Sequence, residues 1–592
     1  VPVPAGASNL RATSGGSTLT VTTEGGTEAS IRIASIAFPQ LRYARTREIT
    51  LTYDLPGAEL RSKDPTRVGK GFAAFTALAW GEPGRTTLDI VAPEGYDFHS
   101  TSEIFTETAA DSSVTRRASE HTDETGIWAF VTLRDPAQTA ERSITVGGDE
   151  VSLLSFPGDE AWADFVDQKL AEGVPALEEL LATPWPGGLD TVREDVSPTV
   201  TGYAWFDFTK REILLGEELD TQLLLHETSH AWLNDDHLSG RWLQEGLAEV
   251  VSRRLAPRIG GEETPSDVPK RDSDPAFPLS QWRNPTGLAV GETDEYGYAA
   301  AHAAVNELIG GLEDEDFTTV VQAALAGESA YEPPGSEDNR GTTDSRRFLD
   351  LVESRGGNTD ADQTYATWVL DDDAATTLEQ RSVARDDYAA VDAADEGWLP
   401  PRGLRIAMSR WDFGGAGDLM GALGEQAEAA GELQQAAAAA GLELAGEVRE
   451  GYENAEDEAA YSDSAELLAE TGESLERVEG ARATVEGAAD PLSDLGIRLL
   501  RTEAAVAGAR EAFSDGDLAT AGERAALATE QTRWAPWLSA SLILVTAHTV
   551  GGLIVGLVAL VRRPRRVRPA APSGPPLSGG EGPPATTGDG TY

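Results

Sequence analysis

Residues 537–561, WLSASLILVTAHTVGGLIVGLVALV, run for 25 positions without an Asp, Glu, Lys or Arg. About 20 apolar residues are enough for a helix to cross the hydrocarbon core of a bilayer. The buried core helix of a soluble domain is the other origin of such a run, but this length without a charge favours a single transmembrane helix. RRPRRVR follows at once, five Arg in seven positions, and a positive flank stays cytoplasmic. The chain starts VPVPAGASNL with no Met, which reads as a mature form whose leader has been removed. The expected topology is single-pass type I in the cell membrane, with nearly everything before residue 537 extracellular.

A chain of 592 residues divides into several domains. Net charge is −53, from 100 acidic and 47 basic residues; such an excess repels nucleic acid and excludes it as a partner. Cys is absent, so disulfides, thiolate catalysis and Cys-ligated metal are excluded too. Residues 1–30 are rich in Gly, Ser and Thr and are expected to be flexible. Over 31–150, short β-prone runs such as EITLTYDL, TTLDIVAP and RSITV alternate with Gly, Pro and Asp turns, the pattern of an antiparallel, sandwich-like β domain. Residues 151–390 mix strands with helical spacing and form an α+β domain. Beyond LPPRG at 399–403, Ala, Glu and Leu dominate, which predicts a helical bundle or stalk over 399–534. The tail, 562–592, is Pro- and Gly-rich and expected to be disordered and cytoplasmic. Within the span, GLIVG (552–556) is a small-xxx-small pattern that allows a homodimer through the membrane. His548, also within it, reads as an interfacial or helix-packed residue.

Two of the seven His lie four residues apart in LLLHETSHAW (223–232). Four residues is just over one helical turn, so His226 and His230 share a helix face and are able to share a metal ion. Glu227, one step round the helix, reaches a water on that metal: the H-E-x-x-H arrangement of zinc peptidases. Five letters also recur by chance. A third ligand decides between these readings, because a catalytic zinc takes three protein ligands and keeps a position for water. After fourteen intervening residues comes Glu245, inside RWLQEGLAEVVSRRL, where Trp242, Leu243, Leu247 and Val250 recur at helical spacing. An acid among buried neighbours is costly unless paired or metal-bound; a solvent-facing Glu is the bland alternative.

HETSH followed by WLQEGLAE resembles the gluzincin metallopeptidases, thermolysin-like in fold, and within them distant relatives of the aminopeptidase N group. The resemblance implies Zn2+, one per chain, held by His226, His230 and Glu245, with Glu227 as general base and proton shuttle. It also implies a peptide or protein substrate. EYGYAAAHAAVNELIGG is similar to a family helix whose Tyr donates to the tetrahedral oxyanion; Tyr296 is the residue that fits, with Tyr298 its rival. The family's aminopeptidases carry a G-x-M-E-N strand that grips the free N-terminus. Here the comparable strand reads TGYAWFDFTKRE without a matching Glu, and only Asp207 stands nearby. An endopeptidase, or a peptidase of other preference, is therefore expected rather than a true aminopeptidase. The alternative is a catalytically inactive cell-surface adaptor on a peptidase scaffold; an intact Glu227 speaks against it.

Overall fold

The computed structural model describes residues 1–26, 31–79, 84–110, 112–122, 126–197, 200, 203–262, 265, 268–284 and 291–562. The chain falls into two units, Val1–Ala427 with Glu453–Asp457, and Glu428–Tyr452 with Glu458–Tyr592. The Arg-rich flank beyond Arg562 and the tail lie outside the described residues.

Alternation begins at the N-terminus: Leu10 and Ala12 turn inward while Asn9, Arg11 and Thr13 face out. Strands β1 (Pro2–Pro4), β2 (Ser8–Ser14), β3 (Ser17–Gly25), β4 (Ile31–Ala37) and β5 (Thr50–Asp54) form one antiparallel sheet in the order β1-β4-β3-β2-β5. Gly15 and Gly16 join β2 to β3 with φ of 54° and 81°, the left-handed pair that a two-residue hairpin turn needs. Where flexibility was expected over 1–30, residues 1–26 are mostly strand; residues 27–30 lie outside the described residues. Thr and Ser here are strand residues, and Val3, Ala7 and Ala34 close a small core beneath them.

Next come β6 (Arg67–Gly69), β7 (Phe72–Ala79), β8 (Gly84–Pro93), β9 (Asp97–Ser100), β10 (Thr106–Ala110), β11 (Ser113–Thr122) and β12 (Ile127–Arg134). They make two antiparallel sheets, β6-β7-β12-β9 and β10-β11-β8. Ala77, Ala129 and Val131 from one pack with Ile90 from the other, as in a sandwich.

The third layer is mixed. β13 (Ala140–Val146), β14 (Asp149–Ser155), β15 (Thr191–Glu194), β16 (Ala204–Asp207) and β17 (Glu212–Leu215) pair in the order β13-β14-β15-β17-β16. Helix α1 (Glu160–Leu181) carries the chain from β14 to its parallel neighbour β15, the usual crossover between parallel strands. The β13–β14 hairpin therefore belongs to this sheet, and a boundary at 150/151 would cut it from its partner. β16 is the edge strand at the end away from β13, and it pairs with β17.

Helices α2 (Thr221–Ser229), α3 (Arg241–Leu255), α4 (Glu292–Val305), α5 (Asp314–Leu325), α6 (Ser345–Gly356), α7 (Ala361–Thr364) and α8 (Asp372–Ala394) follow. Their apolar faces and those of the mixed sheet share one continuous core running from Ile144 to Leu378. α9 (Arg402–Ser409) belongs to the same unit. Its Arg405, 3% exposed, pairs with the buried Glu332 and donates to the Pro400 carbonyl. The composition break at 399 is thus not the boundary between units.

Of the remaining helices, α10 (Phe413–Ala440) and α11 (Gly446–Glu453) precede α12 (Glu458–Gly487), α13 (Pro491–Leu500), α14 (Thr502–Ser514) and α15 (Leu518–Val561), which pack together in the second unit. Ala521, Ala525, Ala528, Thr532 and Ala535 form the buried stripe of α15, three or four residues apart as a packed helix requires. Beyond Ser539 the helix loses that packing and exposes large apolar residues. It is 44 residues long, and none of its most apolar window is buried. One helix among the described residues is therefore long and apolar enough to cross a membrane.

Candidate metal centre

Asp220 starts α2 by accepting the backbone N–H groups of Gln222 and Leu223 at 2.9 and 3.1 Å, a side-chain N-cap. One helix then sets His226 and Glu227 in place, and His230 is its C-capping residue. The Asn234 side chain donates to the carbonyls of His230 and Ala231 at 3.2 and 2.9 Å, which stops the helix and turns the chain back. α3 brings Glu245 opposite. On its other side α3 lies close against α4, which Gly246 permits: a Cβ there would meet Ala301 O at 2.7 Å and Val305 Cγ2 at 2.6 Å.

The three groups singled out by spacing meet. Glu245 Oε2 lies 3.2 Å from His226 Nε2 and 3.4 Å from His230 Nε2. The rings stand edge to face, 5.0 Å apart, and the candidate ligand atoms of all three residues lie within 4.8 Å of one another. The outward nitrogens are also engaged. His230 Nδ1 is 3.1 Å from the Leu233 carbonyl and His226 Nδ1 is 2.9 Å from Glu249 Oε2. A carbonyl only accepts, and so does an ionised carboxylate, so both Nδ1 atoms carry hydrogen. With hydrogen on Nδ1, each neutral ring keeps a lone pair on Nε2, and both Nε2 atoms lie beside the same Glu245 oxygen. Two imidazole nitrogens and one carboxylate oxygen, oriented from behind, are a donor set suited to zinc.

Burial opposes charge on His226, yet Glu245 and Glu249 outweigh it and hold its proton affinity well above the ordinary histidine value. His230 is raised in the same way, mainly by Glu245 against burial. Burial likewise opposes ionisation of Glu249, but His226 and Arg253 draw it down to about 2. The pocket thus stabilises positive charge between the two rings. Burial raises Glu227, with the two His opposing, which makes it a stronger base than an ordinary carboxylate.

A cleft of about 430 Å³ opens on His226 and Glu227, lined also by Tyr203, Glu249, Tyr298 and His302. Tyr298 faces this cleft. Tyr296 does not line it, and instead packs on Phe277 with ring centroids 5.4 Å apart. Asp207 is committed to its own turn, accepting from the N–H groups of Thr209 and Lys210 and pairing with Lys210 Nζ at 3.0 Å. His237 fastens the interhelical loop to the Leu325 carbonyl at 3.0 Å. Glu249 was passed over in the sequence, although its place four residues after Glu245 puts both acids on one helix face.

No family model matches the sequence, and no curated protein matches it. Among solved structures the chain is similar to a two-domain M1 zinc metallopeptidase variant bound to L-arginine, at 16% identity, covering 63% of this chain and 86% of that one, with a TM-score of 0.26. The M1 zinc metallopeptidase from Deinococcus radiodurans is similar to the same degree: 16% identity, 62% and 84% coverage, TM-score 0.26. At TM-scores this low the likeness adds nothing to the assignment, which rests on the side chains.

Proposed function

We propose that the chain is a membrane-anchored, zinc-dependent peptidase with its site on the extracellular side. The observation that carries the reading is the convergence of His226 Nε2, His230 Nε2 and a Glu245 oxygen beside a buried, base-shifted Glu227. His226, His230 and Glu245 would hold the ion, which when bound would lower the pKa of water and polarise a carbonyl. Glu227 takes the proton of the attacking water and delivers it to the departing amine. Tyr298, which burial and the Glu245 charge keep protonated, donates to the carbonyl oxygen as it gains charge. It takes that role in place of Tyr296 because, of the two, Tyr298 lines the cleft. Asp207 is engaged within its own turn, which removes it as a grip for a free amine and keeps the reading at an endopeptidase or a peptidase of other preference.

Zinc titration of the purified chain tests the reading. One zinc per chain is expected for wild type and none for His226→Ala. Glu249→Gln, which weakens the acceptor behind His226, is expected to bind about 10- to 100-fold more weakly. Peptide cleavage should follow zinc occupancy, and cleavage that persists in fully chelated protein would remove the metal from the reaction.

Anchoring is supported by the exposed apolar face of α15 and by the Arg-rich sequence after it, which favours a cytoplasmic tail. The expressed full chain should stay with membranes through alkaline carbonate washing. Release into the wash would exclude a spanning helix.

A further inference from the structure

We propose that Arg241 is a positioning residue for the Tyr298 phenol, turning its oxygen toward the guanidinium so that its hydrogen is left to donate into the cleft. The proposal rests on the peptidase reading above.

Arg241 opens α3, one turn ahead of Glu245, and its side chain is 9% exposed. Nη1 donates to Asp294 Oδ1 at 2.6 Å and to the Arg283 carbonyl at 3.0 Å, and Nη2 donates to the Tyr298 hydroxyl oxygen at 3.1 Å. Asp294 and Tyr298 lie four residues apart on α4, so the planar fork grips one face of that helix at two successive turns. Trp282 completes the clamp. Its ring lies 4.1 Å from the guanidinium carbon, its Nε1 donates to Asp294 Oδ1 at 3.0 Å, and it meets the Tyr298 ring edge-on at 5.0 Å. Gly297 makes room for it, since a Cβ there would fall 2.3 Å from the indole.

A guanidinium has five N–H donors and no acceptor. Against Arg241 the phenol can therefore only accept, and its own hydrogen must point elsewhere. The cleft shared with His226 and Glu227 is where Tyr298 emerges. A cation on the oxygen also makes the phenol a stronger donor to a developing negative charge. The same helix thus supplies a metal ligand and, one turn earlier, the group that aims the donor.

The test is a double-mutant cycle on the full chain loaded with zinc, using Arg241→Met, Tyr298→Phe and the pair. Tyr298→Phe alone is expected to lower kcat about 100-fold. Arg241→Met is expected to lower kcat about 10- to 100-fold with KM nearly unchanged, since misaiming a group costs on that order. In the Tyr298→Phe background it should cost nothing further, because the phenol through which it acts is gone. Calorimetric affinity for a phosphinic peptide, a tetrahedral anion, should show the same non-additivity, with zinc content unchanged. Equal losses in both backgrounds, or loss of zinc from Arg241→Met, would overturn the proposal and leave the peptidase reading standing. Wild-type kcat in Tyr298→Phe would overturn it as well. Should Arg241→Met fail to fold, Arg241→Lys carries the same cycle, since an ammonium keeps the charge but lacks the fork; full wild-type kcat in that variant counts against the proposal. A zinc-loaded wild type that cleaves no peptide removes the peptidase reading itself, and this proposal with it.

Discussion

Glu227→Gln is expected to lower kcat for peptide cleavage about 10²- to 10⁴-fold, the range that a positioned general base supplies, while the variant still binds one zinc. Gln keeps the shape of the side chain and one of its two oxygens. It removes only the capacity to take a proton. Glu227 is not among the three groups whose ligand atoms converge, so zinc titration should return the wild-type stoichiometry. Glu227 is 6% exposed, and burial costs a charged carboxylate enough that it survives there only with compensation. The two imidazoles offset part of that cost. An inert surface adaptor has no use for such an arrangement, and on that reading wild type and variant would be alike in every assay. A variant that retains wild-type cleavage takes Glu227 out of the mechanism and leaves the zinc-binding result to be explained without catalysis.

Legibility in the sequence tracked the distance over which each feature is decided. The convergence of His226, His230 and Glu245 was legible because helical spacing alone aligns His226 with His230, and the connection over 230–240 sets the next helix opposite. Tyr296 and Tyr298 were not separable in this way. Two residues apart on a helix they point in widely different directions, and which one meets the cleft depends on Arg241 and Trp282 claiming one face and Phe277 the other. Arg241 itself looked like any charged residue at a helix start, since its partners lie 53 and 57 positions away. The N-terminal strands were missed for a different reason. Ser, Thr and Gly signal loops by composition, whereas the alternation at Leu10 and Ala12 and the Gly15–Gly16 turn is a weak pattern in so short a stretch. Both boundary corrections have non-local causes. β14 finds its parallel neighbour only after a 22-residue helix, and Arg405 finds Glu332 across 73 positions.

Arg381→Met is expected to destabilise the first unit by up to about 3–5 kcal/mol, the cost of removing one partner of a buried ion pair, since it leaves Asp350 only the more distant Arg385 at 3.7 Å. Arg381 is 1% exposed and lies on α8, where it binds Asp350 at 2.6 Å, Glu353 at 2.5 Å and Asp362 at 2.8 Å. Asp350 has a side-chain exposure of 2% and a second tie to Trp411 Nε1 at 3.0 Å. Burial already raises Asp350 above the ordinary carboxylate value, with Arg381 opposing. Removing the cation raises it further, and this fixes the sign of the pH dependence. A carboxyl whose folded pKa exceeds its unfolded one costs stability in its charged form, and the cost grows as pH rises from the ordinary value through the raised one. The deficit measured by urea unfolding should therefore be larger at pH 8 than at pH 5, and Asp350→Asn in the same chain should recover part of it. The effect should also reach the metal centre. Asp350 and Glu353 sit on α6, whose Ser345 and Phe348 hold Trp242 through a 3.1 Å hydrogen bond and an edge-to-face contact at 6.4 Å. Trp242 lies on α3, three residues before Glu245. Zinc affinity in Arg381→Met should fall along with stability, and both should return together with the second substitution. A variant that unfolds at the wild-type urea concentration at both pH values would show that the surrounding acids accommodate the loss, and that α6 does not depend on this arginine.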